Sequence, residues 1–173
     1  MSSNNSAHRM PRATGSFKIS SSGDLADTYS VSGTYTTPGV WRGIVEQRPF
    51  LPPDGLQFII MTGDTVLGPI ADKKYKTARV APCYSAHVVE DYSLAFPDSY
   101  RLGDLPSDAH SETAHFAYSS HWSATANAIS VHHEFTAHFD RPLCTGETID
   151  EAQNFLAATR KDLQARISLP KKS

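Results

Sequence analysis

The sequence predicts a mainly β (α+β) fold: an antiparallel β-sandwich or strongly curved sheet with one C-terminal helix. Three observations predict it. The middle of the chain is a series of short apolar runs broken by turn residues. One of those runs, Ile129 to Phe139, alternates in polarity along its whole length. A single apolar stripe at helical spacing follows it near the end of the chain. Strands first and a helix last argue for an antiparallel sheet, not for alternating βαβ units. No glycine-rich strand–loop–helix fingerprint is present, and no cofactor is expected.

Each element has its own warrant. Met1 to Thr14 is Ser/Asn-rich, contains Pro11 and has no apolar period. It reads as a disordered tail, because it cannot offset its ordering entropy. It lacks the apolar core of a secretory signal. Residues 15–173 then read as a single β-rich domain. Phe17-Lys18-Ile19-Ser20 alternates and stops at Gly23-Asp24, where both residues favour turns. Leu25 to Val31 and Tyr35 to Val40 follow, the second broken by Pro38-Gly39. Gly43 to Phe50 ends at Pro52-Pro53-Asp54-Gly55, a strong turn signal. Leu56 to Met61 is apolar, long enough for a strand and short for a helix. Val88 to Phe96 is a further strand, stopped by Pro97. Ala114 to Trp122 pairs with Ile129 to Phe139 as a hairpin across Ser123 to Ala128.

The helix is expected over 149–166. Thr148 and Glu151 have the spacing of a capping box, in which each side chain satisfies the other's backbone N–H. Ile149, Ala152, Phe155, Leu156 and Leu163 lie on one stripe, with Thr159 between. Such a stripe serves a membrane surface, a partner or the helix's own domain, and the last reading is preferred. Ile167-Ser168-Leu169 reads as a short terminal strand or extended tail.

Charge and size narrow the function. The chain of 173 residues carries 16 Lys+Arg against 18 Asp+Glu, a net charge of −2. A strongly electrostatic nucleic-acid binder would show a basic stripe, so no nucleic-acid partner is expected. No apolar run approaches the ~20 residues of a membrane-spanning helix. Cys83 and Cys144 are too few for a disulfide-dense scaffold; they form one bridge or none.

Histidine is in excess. Six of eight, His110, His115, His121, His132, His133 and His138, fall in one stretch. Strand geometry sorts them. His132, Glu134 and His138 share the wet face of the alternating strand, and His133 shares the dry face with Phe135. His132 and Glu134 are about 7 Å apart on that face, close enough to share one zinc ion. His138 is roughly 20 Å from His132 and cannot join them. A third ligand has to come from the facing strand, where His115 and His121 stand. Without an HExxH or a paired CxxC, a solvated face is the preferred reading of His132 and Glu134.

Nucleophilic chemistry has less support. Cys83, His87 and Asp91 are four residues apart, about 13 Å on a strand and beyond hydrogen-bond reach. Cys144 precedes the helix with no base beside it. No G-x-S-x-G elbow occurs. Glu90 and Asp91 point to opposite faces of a strand. Trp41 and Trp122 read as core residues rather than pocket walls.

The second half resembles a known domain. Arg79-Val80-Ala81-Pro82, Tyr92-Ser93-Leu94-Ala95-Phe96-Pro97, Leu105-Pro106, the hairpin His115 to Phe139 and the segment Thr148 to Leu169 follow one another in a characteristic order. Gly23-Asp24 with Gly33 precedes them. This order is similar to that of the C-terminal β-rich domain of unknown function in bacterial exported transglutaminase-like proteins. Asn127-Ala128 stands where that domain usually has a Gly-Asn turn. The transglutaminase-like Cys/His/Asp core is absent, so no catalytic residue carries over. The resemblance implies a non-catalytic accessory or binding domain, periplasmic or extracellular, with a protein, peptide or cell-envelope partner.

Two functional expectations follow. One is a binding module that acts through its sheet face or edges, with Arg42, Arg48, Arg79 and Arg101 available for polar contacts. The alternative is a small enzyme or ligand-binding protein with a pocket in the β-fold. There His133 would act as acid or base beside Tyr118 and Trp122, since burial lowers a histidine pKa. One observation separates the two: a closed apolar pocket containing His133 favours the alternative, and a solid core around Phe135 and Phe139 sinks it.

Overall fold

The computed structural model describes residues 14–20, 30–36, 80–163, 165 and 167–172. The chain divides into two compact units, 1–48 and 49–173, where the sequence is read as one domain from residue 15. In the first unit, β1 (Thr14–Ile19) and β2 (Val31–Thr36) form an antiparallel hairpin with Thr14 opposite Thr36 and Ile19 opposite Val31. Thr14, expected in the tail, opens a strand. Gly33 lies inside β2 opposite Phe17. The expectations for 1–13, for 25–29, for Trp41, Arg42, Arg48 and Arg79 and for the strands at 43–50 and 56–61 lie outside the described residues.

The second unit is built on a four-stranded antiparallel sheet in the order β4-β7-β6-β5. Its strands are β4 (Ala86–Ala95), β5 (Ala109–Glu112), β6 (Phe116–Ala124) and β7 (Ala128–Ala137). A two-stranded pair joins β3 (Val80–Pro82) to β8 (Leu143–Thr145). One helix, α1 (Gly146–Leu163), follows β8. The mainly β, antiparallel fold with one C-terminal helix is thus the observed one.

The alternation of β7 positions everything else. Ile129, Val131, His133, Phe135 and Ala137 are buried, while Ser130, His132, Glu134 and Thr136 face outward. β6 follows the same rule with Phe116, Tyr118, Ser120 and Trp122 inside. A sheet with one packed and one wet face produces this period-2 pattern. The β6–β7 turn closes with the Ala128 carbonyl accepting from the Thr125 N–H at 2.8 Å.

Helix α1 covers the packed face. Ile149, Ala152, Phe155, Leu156, Thr159 and Leu163 are its buried residues, the set expected from the spacing. The Phe155 ring lies 5.1 Å from that of Phe116 and 6.1 Å from that of Phe135. Burying such a side chain contributes ~1.5–3 kcal/mol. Ala81, Cys83 and Cys144 complete this core from the β3–β8 pair.

The helix begins at Gly146 and ends at Leu163, not at 149 and 166. Its proposed capping box does not form. Glu151 accepts instead from the backbone N–H of His115 at 2.9 Å and from its Nδ1 at 2.6 Å. A tertiary partner has taken the carboxylate that the local motif reserved for the helix end.

A disulfide joins Cys83 and Cys144, with Cα atoms 5.7 Å apart. It ties the segment entering β4 to the strand entering α1. After the helix the chain is extended. The Ser168 carbonyl accepts from the Gly103 N–H at 2.8 Å, and that of Pro170 from the Arg101 N–H at 3.0 Å. A Cβ on Gly103 would meet both Cβ and O of Ser168 at 3.1 Å, so a side chain there would crowd this close approach.

Candidate functional site

Two groups of polar side chains are built on the sheet, one on each face. The outer group forms a row across β4, β7 and β6. Asp91 on β4 stands opposite His132 on β7, and His132 stands opposite His121 on β6. Asp108, one residue before β5, completes the row. His132 Nδ1 lies 2.8 Å from Asp91 Oδ1. His121 Nδ1 lies 2.7 Å from Asp108 Oδ2, and the other oxygen of Asp108 accepts from the Trp122 backbone N–H at 2.8 Å. The Trp122 N–H first, and then the ring of His121, hold the Asp108 carboxyl below its ordinary range. Each of these bonds favours the charged form of the acid.

The row borders an open concavity of about 330 Å³. Asp91, Ser93, His121, Ser123, Ser130 and His132 line it, with Tyr92 and Val131. Ser130 donates to Ser93 at 3.2 Å across the β4–β7 pair. The wall therefore includes two imidazoles, one carboxylate and three hydroxyls among a mostly apolar lining.

Glu134 does not join His132. Its Oε1 lies 2.9 Å from Nε2 of His87 on β4. The expected pair His132 and Glu134 is divided between two partners, Asp91 and His87. Among the described residues no group of three or more His, Cys, Asp or Glu is arranged to hold a metal ion.

The inner group centres on His133. It is 5% exposed and stands opposite Glu90, with Nδ1 at 3.1 Å from Glu90 Oε2. The Tyr118 ring stacks on it at 6.1 Å, and the Trp122 ring meets it edge-on at 6.0 Å. The structure brings His133, Tyr118 and Trp122 together. The Tyr118 hydroxyl donates to Asp162 of α1 at 2.5 Å. Among the described residues, His133 Nε2 and Trp122 Nε1 are buried and have no hydrogen-bond partner. Burial first, and then the neighbouring Glu90, push the Tyr92 phenol up to about 12.

Glu90 and Asp91 do point to opposite faces, and each meets one member of the His132-His133 pair. His121, one of the two facing-strand candidates, is the residue that stands opposite His132; Asp108, and the pairing of each ring with its carboxylate, escaped the sequence. Cross-strand register is nonlocal, so no spacing could reveal them. The other histidines are paired at the surface. His110 Nε2 lies 3.7 Å from Glu112 and His138 Nε2 3.6 Å from Asp140. His115 is turned to Glu151 and stacks on Phe139 at 5.5 Å. All seven described histidines therefore stand within 4.0 Å of a carboxylate. Cys83 and Cys144 are oxidised to one another, so neither is the free nucleophile weighed in the sequence.

Comparisons with protein-family models, curated proteins and solved structures find no match. No helix among the described residues is long and apolar enough to cross a membrane.

Proposed function

We propose that this chain is a non-catalytic binding module that engages its ligand through the outer face of the β4-β7-β6-β5 sheet. The observation that carries this reading is the concavity lined by Asp91, Ser93, His121, Ser123, Ser130 and His132. The opposite face is occupied by α1, with Phe135 fully buried beneath it. Polar groups that converge on a concave surface fix the orientation of a ligand. The order of motifs resembling the accessory domain of exported transglutaminase-like proteins supports the same reading. The Cys83–Cys144 disulfide supports a periplasmic or extracellular setting, because such bonds persist in oxidising compartments. A protein, peptide or cell-envelope component is the class of partner that fits.

A second reading retains the alternative enzyme or ligand-binding role for His133, with Tyr118 and Trp122 as its neighbours. Its support is the two partnerless nitrogens, His133 Nε2 and Trp122 Nε1, on one buried face. A fragment library titrated into 15N-labelled protein separates the two. Amide shifts clustered at Asp91, Ser93, Ser123 and Ser130 are expected. Shifts clustered around Tyr118, Trp122 and His133 would favour the second reading, and no saturable shift on the outer face overturns the first.

A further inference from the structure

We propose that His121 and His132 form a two-imidazole site for a divalent d-block metal ion on the outer sheet face. The inference rests on reading that face as a binding surface and names a ligand for it. The two residues occupy directly opposed positions on β6 and β7. Opposed side chains on one sheet face have Cβ atoms ~4.5–5.5 Å apart. From that separation two imidazoles reach one ion at Zn–N distances of ~2.0–2.1 Å.

The hydrogen bonds prepare both rings for this. A carboxylate accepts at Nδ1 of each, Asp108 for His121 and Asp91 for His132. The proton therefore sits on Nδ1, and the Nε2 lone pair is the available donor. Metal-bound histidines show this carboxylate–imidazole arrangement, which fixes the tautomer and strengthens the ligand. The surrounding concavity holds the hydroxyls of Ser93, Ser123 and Ser130 and leaves room for water or a ligand group to complete a tetrahedral shell.

The described histidines elsewhere lack this combination. His87, His110 and His138 meet their carboxylates through Nε2. His115 uses Nδ1 but packs on Phe139, and His133 is buried. Glu134, the sequence candidate for sharing a metal with His132, is held by His87.

The test is calorimetric titration of the full chain with zinc chloride, with histidine ring shifts recorded in parallel. One saturable site is expected, with the carbon shifts of His121 and His132 moving together. His121→Ala and His132→Ala should each weaken it at least tenfold. Asp91→Asn and Asp108→Asn should weaken it ~10–100-fold while the fold is retained. His87→Ala should leave it unchanged. Zinc uptake that is unsaturable, or equal in wild type and both alanine variants, overturns the site. If the fragment shifts on the outer face survive that result, only the metal inference falls. If they are absent as well, the binding-face reading falls with it.

Discussion

Glu151 on the helix accepts two hydrogen bonds from His115, one from the backbone N–H at 2.9 Å and one from Nδ1 at 2.6 Å. This pair, not a local cap, fastens the first turns of α1 to the segment that enters β6. Burial alone would raise the Glu151 carboxyl, but bonds from Thr113 and His115 outweigh it and hold the group below its ordinary 4.5. Because the folded-state value is depressed, the stabilisation is complete above the ordinary value. It is lost as pH falls through the folded-state value.

Glu151→Gln should therefore destabilise the protein at neutral pH by ~1.5–3 kcal/mol, the range for hydrogen bonds to a charged group. Urea unfolding at pH 7 and at pH 3 checks it. The gap between wild type and variant should narrow at the lower pH, and a gap that is constant with pH would remove the linkage.

The disulfide carries a second expectation. Cys83 and Cys144 are separated by 61 positions. Closing a loop of that size restricts the unfolded chain by about 4 kcal/mol in the chain-entropy model. Reduction, or the double change Cys83→Ala with Cys144→Ala, should lower the unfolding free energy by that order. Equal urea midpoints with and without reductant would show that the β3–β8 connection is held by packing alone.

The alternation of β7 and β6 was legible because a half-buried strand writes its two faces directly into the sequence. The helix stripe Ile149, Ala152, Phe155, Leu156 and Leu163 was legible for the corresponding reason at a period of 3.6. What failed depended on partners distant in sequence. Thr148 and Glu151 have the spacing of a cap, yet His115 claims the carboxylate. His132 and Glu134 share a face, yet register hands one to Asp91 and the other to His87. β3, β5 and β8 span only 3, 4 and 3 residues, too few to display a period. The candidate site was thus half visible: its histidines and their face could be read, and the carboxylates that orient them could not.

Core packing beneath α1 gives a third expectation. Phe155 touches both Phe116 and Phe135, whose side chains are essentially inaccessible. Phe155→Ala would leave a cavity between helix and sheet, at a cost of ~3–5 kcal/mol. The outer face should keep its shape, since β6 and β7 retain their backbone pairing. Thermal unfolding reads the loss, and the amide shifts of Ser123 and Ser130 read the face. A loss under 1 kcal/mol would mean that α1 does not seal the core.

Tyr92 supplies the last expectation, at the alkaline end. It sits on the packed face of β4, two residues from Glu90 and opposite Val131. Burial and then the Glu90 charge raise its phenol from 10.0 to about 12. A raised folded-state value means the contribution is complete below the unfolded value near 10. It disappears as pH climbs through about 12. Absorbance titration of the tyrosines should show the Tyr92 phenol ionising well after the exposed ones. Tyr92→Phe should remove that late step and flatten the loss of stability between pH 10 and 12. A late-ionising amplitude that is unchanged in Tyr92→Phe would show that Tyr92 is not among the phenols held back by burial.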